Sequence, residues 1–207
     1  MELEQPKRPY HHGDLRNALL VAGQQLLQEE GVAALDLRKV ARRAGVSHAA
    51  PYRHFADKQA LLAALAEEGF RLLTASILAA RDSAANEPRT QLLAMARAYV
   101  HVAINAPDLT RIMFGGAIGD RAAFPTLYAT SKESFIALSS VIEQGQHSGV
   151  IVPGDPIRLT LVTWSLMHGY AMLLVEGQIP GASGDPATLE ADIERCIETL
   201  YSGLALH

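Results

Sequence analysis

The sequence predicts an all-α protein, with an N-terminal three-helix domain of helix-turn-helix type followed by a larger helical domain. Three observations predict it. No segment alternates apolar and polar residues with a period of two, as a half-buried strand would. Glycine and proline fall between stretches whose apolar residues recur every three or four positions. Hydrophobic residues make up 49% of the 207-residue chain, enough for a substantial core. The expected division is 1–56 and 57–207.

The first helix is expected from Asp14, placed as its N-cap, to Glu30. Leu15, Ala18, Leu19, Ala22 and Leu26 form one apolar stripe, and Gly31 is the stop. The second opens at Asp36, whose carboxylate can accept from the N–H of Arg38 or Lys39, while Leu35 and Val40 have the spacing of a hydrophobic staple. It buries Leu37, Val40, Ala41 and Ala44. Gly45 then supplies a left-handed backbone, Val46 plugs the angle, and Ser47 caps a short third helix, which completes a helix-turn-helix. A long fourth helix, Asp57 to about Ala80, joins the two domains without a flexible linker. Further helices are expected at about Arg89–Ala106, Asp108–Phe114, Phe124–His147, Asp155–Gly177 and Pro186–Gly203, with GGAIGDR and IPGASGD as loops. GGAIGD follows no strand, which makes it a connector rather than a nucleotide-binding loop.

The net charge of −4 hides an asymmetry. Residues 1–60 carry nine Lys/Arg against seven acids, and residues 61–207 carry nine against fifteen. Between Arg38 and Lys58 six basic residues face one acid, Asp57. In that segment, GVSHAAPYRHF has too few apolar residues for a core helix. With Ser47 used in capping and Phe55 turned inward, His48, Ala49, Pro51, Tyr52 and His54 are expected to face outward. Ala49 and Ala50 are small enough to let a helix backbone descend into a DNA major groove; His48 can offer an N–H to a base edge, and Tyr52 and His54 can reach phosphates. Lys58 and the first amides of the fourth helix add a further phosphate site. A helical hairpin with a merely wet face would account for the helices but not for basic residues gathered on one side, so double-stranded DNA is the expected partner.

LDLRKVARRAGVSHAAPYRHFADKQALLAAL, Leu35 to Leu65, resembles the DNA-binding domain of the TetR/AcrR family of transcriptional regulators across its whole length, and YHHGDLRNALL resembles the usual lead-in. The resemblance implies base reading at His48, Ala49 and Pro51 and phosphate contact at Ser47, Tyr52, His54 and Lys58. Two positions depart from the pattern: Ala49 stands where the family often has glycine, and Pro51 lies near the limit at which proline deletes a helical hydrogen bond. The resemblance further implies a ligand-responsive regulator, most often a repressor, that binds a pseudo-palindromic operator as a homodimer.

The helix expected at 155–177 is apolar nearly all round, and the one at 186–203 carries Leu189, Ile193, Cys196, Ile197, Leu200, Tyr201 and Leu204 along one stripe opposite Glu190, Glu194 and Glu198. These two helices are the expected seam with a second copy. Met95, Tyr99, His101, Met113, Phe114, Phe135, Trp164 and His168 are candidates to line a cavity for a small apolar or aromatic effector. TWSLMHGY sets Trp164 and His168 on one helix face with Gly169 beside them, and resembles the Trp-x-x-x-His-Gly signature of one TetR C-terminal subfamily.

Other classes find less support. No nucleophile–base pair, carboxylate pair or metal cluster has workable spacing, so no catalytic site, cofactor or metal is expected. His11 and His12 are adjacent and point apart on an extended tail, and Cys196, the only cysteine, is expected as a buried thiol. No apolar run is long enough to span a membrane and the N-terminus lacks a secretory signal, so a cytoplasmic location is expected. A helical adaptor without sequence-specific DNA binding is the alternative; gel shift against genomic fragments discriminates the two.

Overall fold

The computed structural model describes residues 12–179 and 185–204, with the side chains of residues 12–14 left aside. The start of the lead-in, His11, the Asp14 side chain and most of the IPGASGD loop therefore lie outside the described atoms. The described residues form eight α-helices and no β-strand: α1 (His12–Ala34), α2 (Leu37–Arg43), α3 (Lys58–Ser83), α4 (Pro88–Asn105), α5 (Pro107–Phe114), α6 (Pro125–His147), α7 (Pro156–Val175) and α8 (Pro186–Leu204). No helix among them is long and apolar enough to cross a membrane.

Helix α1 begins before Asp14, which places that residue in the first turn rather than at the cap. Gly31, at φ 76° and ψ 174°, interrupts it where the sequence placed its stop. Asp36 caps α2 as expected, accepting from the N–H groups of Arg38 and Lys39 at 2.8 Å each. Gly45 turns the chain at φ 68°.

The third element differs from expectation. Instead of an α-helix capped by Ser47, the chain makes a turn that ends in a single 3₁₀ stretch, Pro51–Arg53, with no side-chain cap. Ala50 N–H donates to the Ser47 carbonyl, Arg53 N–H to Ala50 and His54 N–H to Pro51, all three-residue closures. The cause is Pro51: without an N–H it cannot close the four-residue bond to Ser47, so the tighter winding takes over.

Five helices open on proline, at Pro88, Pro107, Pro125, Pro156 and Pro186. Proline's fixed φ suits the first helical position, whose N–H has no partner within the helix. Helix α3, capped by Asp57 at 2.9 Å to the Ala60 N–H, is the axis of the molecule. Its first turns bury Leu61 and Leu65 against Gly23 of α1, and further along it packs against α4, α5 and α6. Each fully buried leucine contributes about 1.5–3 kcal/mol of transfer free energy. The head and the larger unit thus share one rigid helix and a continuous core.

Helix α8 also departs from expectation. Leu189, Ile193, Ile197 and Leu204 of its stripe are buried within the chain. Its acidic residues turn toward α4 as well: Glu190 meets Arg97 at 2.8 Å and His101 at 2.7 Å, and Glu198 meets Arg89 at 2.5 Å. His101 therefore hydrogen-bonds across to α8 and does not line the cavity. The uncovered apolar face belongs to α7, where Ile157, Leu161, Val162, Leu166 and Leu173 are exposed.

Candidate nucleic-acid interface and ligand cavity

The reading turn presents Ser47, His48, Ala49, Tyr52 and Arg53 to solvent, with His54 half-buried. Pro51, expected on the outward face, is instead buried, because the turn rests its ring against the head. Its side chain is withdrawn from the set that can meet a base edge. Phe55 is 2% exposed and anchors the turn, with the Arg16 guanidinium 5.8 Å from its ring centroid.

The basic residues divide into two groups that sequence could not separate. Arg43 grips Glu29 through both guanidinium nitrogens, and Lys39 pairs with Glu30 at 2.6 Å. Lys58, expected at phosphate, donates to the carbonyls of Val32 and Ala33 at 2.9 and 3.2 Å and so ties the end of α1 to the start of α3. Arg38, Arg42 and Arg53 are exposed and make no ion pair among the described residues. These three were absent from the expected contact set. Their exposure is a tertiary fact, since it depends on where α1 places its two glutamates.

The larger unit encloses a cavity of about 330 Å³. Met95, Tyr99, Phe114, Phe135 and Trp164 line it, as the sequence suggested, together with residues it did not single out, chiefly Ser131, Lys132, Ser134 and Leu138 of α6. The spacing of 131, 134, 135 and 138 marks one helix face and was a usable signal. Met113 does not line the cavity. It fills a notch left by Gly69 on α3, where an added Cβ would stand 2.5 Å from its Sδ.

His168 does not line the cavity either; it braces the wall from behind. Its Nδ1 lies 2.8 Å from the Tyr99 hydroxyl, and its ring is 4.5 Å from the Phe114 centroid and 5.4 Å from that of Trp164. Burial holds the His168 imidazole below its ordinary pKa and pushes the Tyr99 phenol well above its own, so both are neutral and share one hydrogen bond whose direction is set by the imidazole tautomer. Phe135 meets Trp164 edge-on at 6.3 Å and closes the aromatic wall.

The cavity and the reading turn are joined through the loop after α5. Gln59, in the first turn of α3, donates through Nε2 to the Ala117 carbonyl at 3.1 Å and accepts from the Gly119 N–H at 3.0 Å. Arg121 donates to the Met113 carbonyl at 2.8 Å and lies over Phe70. Phe114, a cavity residue, is thus three residues from the loop held by the helix that follows the reading turn.

Residues 19–65 match the bacterial regulatory proteins of the tetR family, and residues 92–200 match the tetracyclin repressor-like C-terminal domain. The chain belongs to the TetR family. Transcription regulation and DNA binding come with that membership. A protein of unknown function from Rhodococcus sp. RHA1 is similar at 38% identity and a TM-score of 0.83, over 97% of this chain and all of that one. A TetR family transcription regulator from Marinobacter aquaeolei VT8 shares the fold at 20% identity, with a TM-score of 0.70 over 93% of this chain and 96% of that one. The transcriptional regulator FadR from Bacillus subtilis, in complex with stearoyl-CoA, shares it at 17% identity, with a TM-score of 0.75 over 93% of this chain and all of that one.

Proposed function

We propose that this TetR-family protein is a homodimeric repressor that binds a pseudo-palindromic operator and is released by an apolar or aromatic effector in the α4–α7 cavity. The observation that carries this reading is one continuous helix, α3, whose start holds the reading turn and whose body lies against an aromatic-walled cavity. A ligand that prefers one arrangement of these parts by about 1 to 3 kcal/mol shifts operator affinity roughly 5- to 150-fold. At the DNA, His48 and Ala49 are assigned to base edges, while Ser47, Tyr52, His54 and the exposed Arg38, Arg42 and Arg53 are assigned to phosphates. Lys58 acts mainly by holding the head on α3, with its remaining N–H available to a phosphate. Trp164, His168 and Gly169 carry the Trp-x-x-x-His-Gly signature in this reading.

The second copy is assigned to the exposed apolar face of α7, with the outer side of α8 at its margin. Five large apolar side chains exposed on one helix are costly in water and are covered by the same face of a two-fold mate. Selection of bound fragments from a random DNA pool, followed by sedimentation of the complex, tests the reading. Enrichment of an inverted repeat bound by two chains supports it; a pool that stays random, or a monomer on a single half-site, refutes it.

A further inference from the structure

The polar groups of the cavity wall point to a definite ligand charge. Tyr99 is committed to His168, Thr163 donates to the Leu159 carbonyl at 2.9 Å, and Ser131 donates to the Tyr128 carbonyl at 2.9 Å. Of the donors that α6 brings to the wall, the Ser134 hydroxyl and the Lys132 ammonium remain without such a commitment among the described residues. Lys132 is exposed at the margin of the α6 face and lies 3.8 Å from the Tyr128 ring centroid, with no carboxylate within ion-pair distance among the described residues. Among the described residues no aspartate or glutamate lines the cavity. Beyond this rim the walls are Met95, Phe114, Phe135 and Trp164.

We propose that the cavity takes an apolar chain or ring that ends in a carboxylate, with the tail against the aromatic wall and the carboxylate at the rim between Lys132 and Ser134. This rests on the effector reading above and adds the ligand's charge and polarity. Aromatic walls also suit a quaternary ammonium ion. Among the described residues the only lining charge is positive and no lining acid neutralises a cation, so the anion is favoured. A carboxylate at the rim keeps part of its hydration and gains a charge-assisted hydrogen bond, while the tail leaves water entirely.

The test uses the full chain and the emission of Trp164, its only tryptophan. Hexanoate, octanoate and decanoate are titrated beside the alcohols and the alkyltrimethylammonium ions of equal length. Carboxylate affinity is expected to rise about fourfold per methylene until the cavity is full. At equal length the carboxylate should bind about tenfold tighter than the alcohol. Lys132→Met should abolish that advantage and leave alcohol affinity unchanged, and Lys132→Arg should retain it. Alcohols that match the carboxylates, or ammonium ions that bind tightest, overturn the proposal but leave an apolar effector cavity standing. Silence from all three series, with operator binding intact, overturns the proposal and the effector cavity with it.

Discussion

Arg53 and Arg43 carry the same charge and are both exposed, yet only Arg43 has an acid partner among the described residues. Arg43 is held by Glu29, which also keeps its guanidinium proton tighter than usual through that hydrogen bond. Arg53 lies in the reading turn with no acid partner among the described residues. If Arg38, Arg42 and Arg53 each neutralise one phosphate, a dimer releases the counterions of six. The slope of log affinity against log salt is then about −5, and operator affinity falls about a thousandfold between ~50 and ~200 mM salt. Arg53→Ala removes one contact per subunit and should reduce the slope by about 2. Arg43→Ala should leave the slope as it was and lower the melting temperature, because it strips the link between α1 and α2. Fluorescence anisotropy of a labelled operator across a salt series measures both slopes, and thermal unfolding measures the second effect. Equal slopes for the two variants would refute the division of the basic cluster into structural and DNA-facing cations.

Three further outcomes are expected. Gln59→Ala should bind operator and effector normally in separate assays, while effector-driven release, measured with both present, shrinks toward no effect because the loop from Phe114 no longer engages α3. Stability should fall as pH drops below about 6.5: burial depresses the His168 pKa, so the unfolded state binds the proton more readily and gains on the folded state through that window. Thermal unfolding at pH 7 and pH 5 should therefore diverge for the native chain and converge for His168→Gln. Asp36→Ala should cost about 1 kcal/mol, a fall of roughly 2–4 °C in melting temperature, since two amide N–H groups lose their acceptor.

Apart from the third element, the helices and their order were legible in the sequence, because caps, prolines and glycine stops act within a few residues of themselves. Asp36, Asp57, Gly31 and Gly45 are legible for that reason, and so is the family, whose pattern from Leu35 to Leu65 is local. It also found the aromatic wall, since Tyr99, Phe114, Phe135 and Trp164 are large apolar residues on helices that must bury something. What it could not decide was direction. Whether Pro51 faces out or in, whether Arg43 is free or spent, and whether α8 turns its stripe toward a partner or toward α4 all depend on which helix lies opposite, often dozens of residues away in sequence. The same holds for His168, which shares a helix face with Trp164 but is drawn behind the wall by a hydroxyl 69 positions distant. Periodicity says that a face is buried; only tertiary packing says against what, and that choice sorts cavity residues from core and paired charges from exposed ones.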